Sequence, residues 1–141
     1  MDLDLDPWIR RIRDNVSDLK GVDGAAELAA VKDLSQRAPY AWVIPVAEDA
    51  GSNVLLNAVS QRVVERIGVV IAVRNRRDAR GHTAHNVLRY IRREIKNTLI
   101  GWLPDPDQDE VVFSRGRLID FSDQVIWWQD EYQWAYDERT V

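Results

Sequence analysis

Asp78, His82 and His85 form a D-x-x-x-H-x-x-H pattern at the start of a helical segment, and these are the only histidines in the chain. A carboxylate and two imidazoles can begin a zinc site, but zinc wants a third or fourth ligand and a supporting outer shell. The neighbouring side chains are arginines (Arg74, Arg76, Arg77 and Arg80), which repel a cation. The two histidines are therefore expected to be helix-start surface residues. Serine, histidine and aspartate all occur, but no G-x-S-x-G elbow presents a nucleophile. Gly21-Val22-Asp23-Gly24 is two glycines at a helix break, not a phosphate-cradling loop. The acids of PDPDQDE, residues 104–110, lack the calcium-loop pattern. The absence of cysteine removes disulfides, thiolate chemistry and zinc-thiolate sites, and suits folding in a cytoplasm. The expectation is a protein that is not an enzyme and holds no cofactor or metal.

Charge is segregated along the chain. Residues 62–96 carry ten basic against three acidic side chains, and residues 103–141 carry ten acids against three arginines. The basic loop RNRRDAR and the basic helix after it could bind nucleic acid. Stacking platforms, however, interleave aromatic with basic residues. Here the aromatics sit in the acidic segment: residues 124–141 hold three of six tryptophans and two of four tyrosines. Opposite blocks in one small chain can instead cancel within the fold or attract a neighbouring copy.

An apolar share of 45% with 30% charged residues describes a folded chain, not a disordered one. A length of 141 residues suits one domain, 1–141. No apolar run approaches the ~20 residues that cross a bilayer, so no membrane partner is expected. The opening MDLDLDPW is acidic where a signal peptide would be basic.

The elements follow from periodicity. Asp6-Pro7 is a helix start, and Trp8, Ile9, Ile12, Val16 and Leu19 recur at helical spacing. AAELAAVKDL, 25–34, reads as a second helix. YAWVIPV, 40–46, reads as a strand that Pro45 pushes towards an edge. Val59, Val63, Ile67, Val69, Ile71 and Val73 share one parity, so a long second strand is predicted, roughly 50 Å at ~3.3 Å per residue. It must bend, at Gly68 for instance, or its first half must project from the body and meet another chain. Ala84, Val87 or Leu88, Ile91, Ile95 and Leu99 form a helical stripe that ends at Gly101. VVFSRGRLIDF, 111–121, is a strand, and a turn near Ser122-Asp123 leads into the closing one. The predicted fold is α+β in the order α-α-β-β-α-β-β, a mostly antiparallel four-stranded sheet with helices on one face.

Several of these segments together resemble the tail terminator proteins of tailed bacteriophages, in particular a branch from Mu-like prophages. The segments are AWVIPVAEDAGSN (41–53), QRVVERIGVVIAVRNRRDARG (61–81), LIGWLPD (99–105) and FSRGRLIDFSDQVIWWQDEY (113–132). The resemblance covers residues 38–136, and its specificity lies in the set and not in any one piece. It implies a structural virion protein made in the host bacterial cytoplasm. Such a protein caps the head-proximal end of the tail tube as a hexameric ring, ends tube growth and offers the surface that joins tail to head. The implied partners are further copies of itself, the tail tube protein and a head–tail connector, with DNA only as passing cargo. Tail-like bacteriocins and defective prophages carry the same role. The alternatives are a head-side connector or head-completion protein, and a DNA-contacting packaging accessory factor.

In the closing strand, Ile126, Trp128, Tyr132 and Trp134 share one parity and are expected to be core, anchored with Trp8, Ile71 and Ile91. Trp127 lies on the other parity and is a candidate subunit contact. Some of the arginines at 74, 76, 77 and 80 are expected to meet some of the acids of the last two strands, Asp130 and Glu131 included, on the next copy in a ring.

Overall fold

A computed structural model describes residues 3–31, 37–75, 82–122 and 124–140, the side chain of His82 lying outside that set. Its elements in chain order are α1 (Asp6–Asn15), β1 (Val22–Asp23), α2 (Ala25–Ala29), β2 (Tyr40–Ala50), β3 (Val59–Arg74), α3 (His82–Leu99), β4 (Val112–Phe121) and β5 (Val125–Thr140). The strands form one sheet in the order β1-β2-β3-β5-β4. β1 runs parallel to β2, and every other neighbouring pair is antiparallel.

The class is α+β, but the sheet has five strands where four were predicted, and a strand stands between α1 and α2. Two residues flanked by Gly21 and Gly24 carry no period, so β1 leaves no alternation to read. α1 begins at Asp6 itself, with Leu5 as its cap, and stops at Asn15, although Val16 and Leu19 beyond it are buried.

β3 and β5 are sixteen residues each and pair without a slip from Val59↔Thr140 to Arg74↔Val125. Period two then sorts their side chains into two faces. Val63, Ile67, Val69, Ile71 and Val73 of β3 join Ile126, Tyr132, Trp134 and Tyr136 of β5 in the main core. α1 closes that core with Trp8 and Ile12, and α3 closes it with Ala84, Leu88, Ile91, Ile95 and Leu99. Each fully buried large apolar side chain contributes roughly 1.5–3 kcal/mol, so this one face supplies most of the driving force.

The opposite face is not bare. Trp42, Val70, Ala72 and Val125 form a second cluster, with Leu28 of α2 and the rings of Tyr40 and Trp127 packed against it. The helices are thus divided: α1 and α3 lie on one face and α2 on the other. The long β3 does not project alone either. Its first half is flanked by the outer half of β2 on one side and by the end of β5 on the other, in a three-stranded extension of the sheet. β2 slips register between Pro45 and Ala47, where proline has no N–H for the ladder. α3 ends at Gly101, whose φ of +85° is the left-handed turn that suits glycine.

Candidate interaction surfaces

The closing strand carries four acids, and the two among its rings, Asp130 and Glu131, are fixed inside the chain. Asp130 points to the helical side of the sheet and is 0% exposed. Arg92 of α3 reaches it through Nε and Nη2, each 2.9 Å from a carboxylate oxygen. Trp128 Nε1 donates to the same carboxylate at 2.8 Å, and the Arg92 guanidinium lies 4.4 Å from the Trp128 ring centroid. Gly116 of β4 sits directly over this group. A Cβ there would lie 2.9 Å from Arg92 Nη2 and 3.0 Å from Trp128 Nε1, so no larger residue fits. Glu131, on the other face, is also buried and accepts from Arg115 Nε of β4 at 2.5 Å. Charge-assisted pairs of this kind pin α3 and β4 to two adjacent residues of β5, Asp130 and Glu131 respectively.

A third acid cluster lies where β2, β3 and β5 run together. Glu65 is 3% exposed and accepts from the Tyr136 hydroxyl at 3.0 Å. Glu48 is its direct cross-strand neighbour. Burial, with Glu48 as the next cause, pushes the Glu65 carboxyl up from 4.5 to about 7. Burial and the Glu65 hydrogen bond push the Tyr136 hydroxyl upward as well.

The outward surfaces are of a different kind. The turn from β2 to β3 presents Val54, Leu55 and Leu56, with Val54 77% and Leu56 100% exposed. This tip is held, not loose. Asn53 Oδ1 accepts from the Leu55 and Ser60 amides at 3.1 and 2.9 Å, and its Nδ2 donates to the Leu55 and Ala58 carbonyls at 3.1 and 3.0 Å. The Val54 amide donates to the Ser60 carbonyl at 3.1 Å, and that of Gly51 to the Arg62 carbonyl at 2.7 Å. One asparagine therefore uses both ends of its amide to brace a loop whose tip is apolar.

β4 is the last strand of the sheet, so its outer edge is unpaired among the described residues. It carries exposed Val112, Leu118, Ile119 and Phe121. Register shifts fall between Phe113 and Arg115 and between Leu118 and Asp120, leaving Ser114 and Ile119 as extra residues. Bulges of this kind bend an edge and limit indiscriminate pairing. A groove of about 410 Å³ on α3 is lined by Asn86, Arg89, Tyr90, Arg92, Arg93 and Lys96.

The residues singled out from sequence fall into three groups. Trp8, Ile71, Ile91, Tyr132 and Trp134 are buried in the main core, while Trp128 is half-buried and packs against it. Asp130 and Glu131 are paired within the chain as described, and Trp127 is half-buried and stacked on Trp42 with centroids 5.5 Å apart. Arg74 is exposed at the end of β3, whereas Arg76, Arg77 and Arg80 lie outside the described residues, as does Asp78. His85 is exposed on α3, and no group of three or more potential metal ligands occurs among the described residues. No described helix is long and apolar enough to cross a membrane.

Arg92, Arg115, Gly116, Asn53 and Glu65 carry the arrangement without having been singled out. Only Asn53 had a local signal, as an asparagine directly before an apolar run in a turn segment. A family model described as "Phage tail terminator protein" matches residues 1–140. No curated protein matches the chain.

Proposed function

The chain belongs to the phage tail terminator family, a family of phage tail structural proteins, and from that membership we propose that it caps the tail tube. The family match over nearly the whole chain is the observation that carries this reading. In it, copies of the single domain 1–141 assemble as a hexameric ring on the head-proximal end of the finished tube. The ring stops further polymerisation and offers a surface to the head–tail connector, as in the Mu-like branch. DNA passes through without being read. The arrangement of the molecule supports a role exerted through contact. Its buried acids Asp130 and Glu131 are spent on fixing a helix and a strand to β5. Seven of its exposed large apolar residues lie at the braced tip and along the β4 edge: Val54, Leu55, Leu56, Val112, Leu118, Ile119 and Phe121.

The test is removal of the gene from the producing phage or prophage. Tails of uncontrolled length that fail to join heads, rescued by the intact gene, are expected. Electron microscopy of the purified protein should show rings. Tails of normal length in the absence of the protein would remove this reading.

A second reading, a DNA-contacting accessory factor or head-side connector, is favoured by the basic groove on α3. It requires binding of duplex DNA by the isolated protein that weakens steeply with salt.

A further inference from the structure

We propose that neighbouring copies join edge to edge, with β4 of one subunit laid antiparallel against the outer half of β2 of the next. The proposal rests on the ring reading above and names its contact surface. Among the described residues the sheet has two free edges. One is β4. The other is β2 beyond β1, because β1 covers only Ala41 and Trp42, while residues 45–50 are all exposed. Free edges carry backbone donors and acceptors that pairing with another strand satisfies.

Direction and charge agree on which edges meet. β2, β3, β5 and β4 alternate in direction, so β4 runs opposite to β2. A copy added by continuing the sheet therefore meets β4 with an antiparallel β2. On the face that bears Trp42 and Trp127, β2 presents Ala47 and Asp49, which pair across to Arg66 and Val64. On that same face β4 presents Arg115, Arg117 and Asp120, opposite Glu131, Gln129 and Trp127, a net positive edge. Two β2 edges would set Asp49, with Glu48 beside it, against itself. Two β4 edges would bring two net positive strands together. The mixed pair joins edges of opposite net charge, and like-charge rejection of the alternatives is how an interface gains specificity. A contact between two different patches is heterologous, the kind that closes into a ring and not into a two-fold dimer. Exposed Leu118 and Phe121 on β4 add apolar surface at the seam.

The chain has no cysteine, so engineered pairs report the contact without background. Ala47→Cys or Asp49→Cys is combined in one chain with Arg117→Cys or Asp120→Cys, giving four variants that cover neighbouring registers. All four positions are exposed. Arg115 is left intact because it neutralises Glu131. Within a subunit β3 and β5 stand between β2 and β4. Three strand spacings of ~4.8 Å put the positions about 14 Å apart, beyond a disulfide. Oxidation of assembled rings should give a ladder of covalent multimers ending at the ring size in at least one variant. The wild-type chain should give none. Rings that form normally in all four variants yet stay monomeric after oxidation would overturn the edge contact and leave the ring reading standing. A chain that forms no ring, on tails or alone, overturns both. As a second measure, Asp49→Arg and Arg117→Asp should each reduce ring yield several-fold, and the two together should restore it.

Discussion

The Arg92 guanidinium on α3 grips the Asp130 carboxylate on β5 with two 2.9 Å contacts, and that carboxylate has no exposure to solvent. The pair crosses from the helical layer to the sheet and is completed by Trp128 Nε1. Removing one partner of such a pair strands the other as a buried charge, at a cost of ~3–5 kcal/mol. Arg92→Met is therefore expected to lower the unfolding free energy by an amount in that range. Arg92→Met combined with Asp130→Leu should recover most of the loss, because no charge is then left unpaired. Urea unfolding of the three chains checks this. Equal losses in the single and double variants would show that the pair is not acting as a unit.

The aromatic anchors predict a graded series. Trp134 is buried, and its Nε1 donates to the Asp109 carbonyl at 3.0 Å, which ties the 104–110 loop to β5. Trp8 is buried edge-on to Trp102 with centroids 5.1 Å apart. Trp134→Ala and Trp8→Ala should each cost ~3–5 kcal/mol, a large share of the ~5–15 kcal/mol that stabilises an ordinary domain. Leu118→Ala on the exposed β4 edge should fall within about 0.5 kcal/mol of wild type. Thermal melts of the three variants give the ranking, and a Trp134→Ala chain melting like wild type would remove that ring from the core.

Glu65 makes stability depend on pH in a stated direction. Its carboxyl is raised in the fold to about 7, from 4.5, chiefly by burial. Between those values the folded chain holds a proton that the unfolded chain has lost, so this group's contribution falls as pH rises from about 4.5 to about 7 and is level above that. Glu65→Gln keeps an acceptor for the Tyr136 hydroxyl and removes the charge. It should raise the melting temperature at pH 8 and leave it near wild type at pH 4. A variant less stable than wild type at pH 8 would contradict the assignment.

The sheet's backbone was legible in the sequence where one physical signal dominated. Alternation in β3 and β5 is long because both strands bury a full face against α1 and α3, and α3 shows its stripe for the same reason. β1 was not legible, since two residues have no period. Asp130 interrupts the aromatic alternation, Glu131 lies on the opposite parity, and both read as outward-facing, because an acid in a strand is usually solvated. What buries them is Arg92, 38 positions away, and Arg115, 16 positions away. Pairings made through the fold leave no local trace. The glycine that admits the first pair, Gly116, reads from sequence only as a residue in a strand.

The β2–β3 tip yields the last prediction, in which order and stability come apart. Leu56 is fully exposed and Leu55 half-exposed, so neither has core contacts to lose. Leu55→Ser with Leu56→Ser should leave the unfolding free energy within about 0.5 kcal/mol of wild type in urea titration. Asn53 differs, because its amide holds the Leu55 and Ser60 amides and two carbonyls at once. Net hydrogen bonds of this kind contribute ~0.5–1.5 kcal/mol each, and less at an exposed turn where water competes. Asn53→Ala should therefore cost about 1 kcal/mol overall. Its clearer effect is local: faster amide hydrogen exchange at Leu55 and Ser60, with the rest of β3 unchanged, since only the brace is lost. If the tip serves assembly as a preformed surface, the leucine variant should bind tails less tightly through lost contact area, and Asn53→Ala should weaken binding with both leucines still present. Unchanged exchange at Leu55 and Ser60 in Asn53→Ala would show that the backbone bonds of Gly51 and Val54 hold the tip without the asparagine.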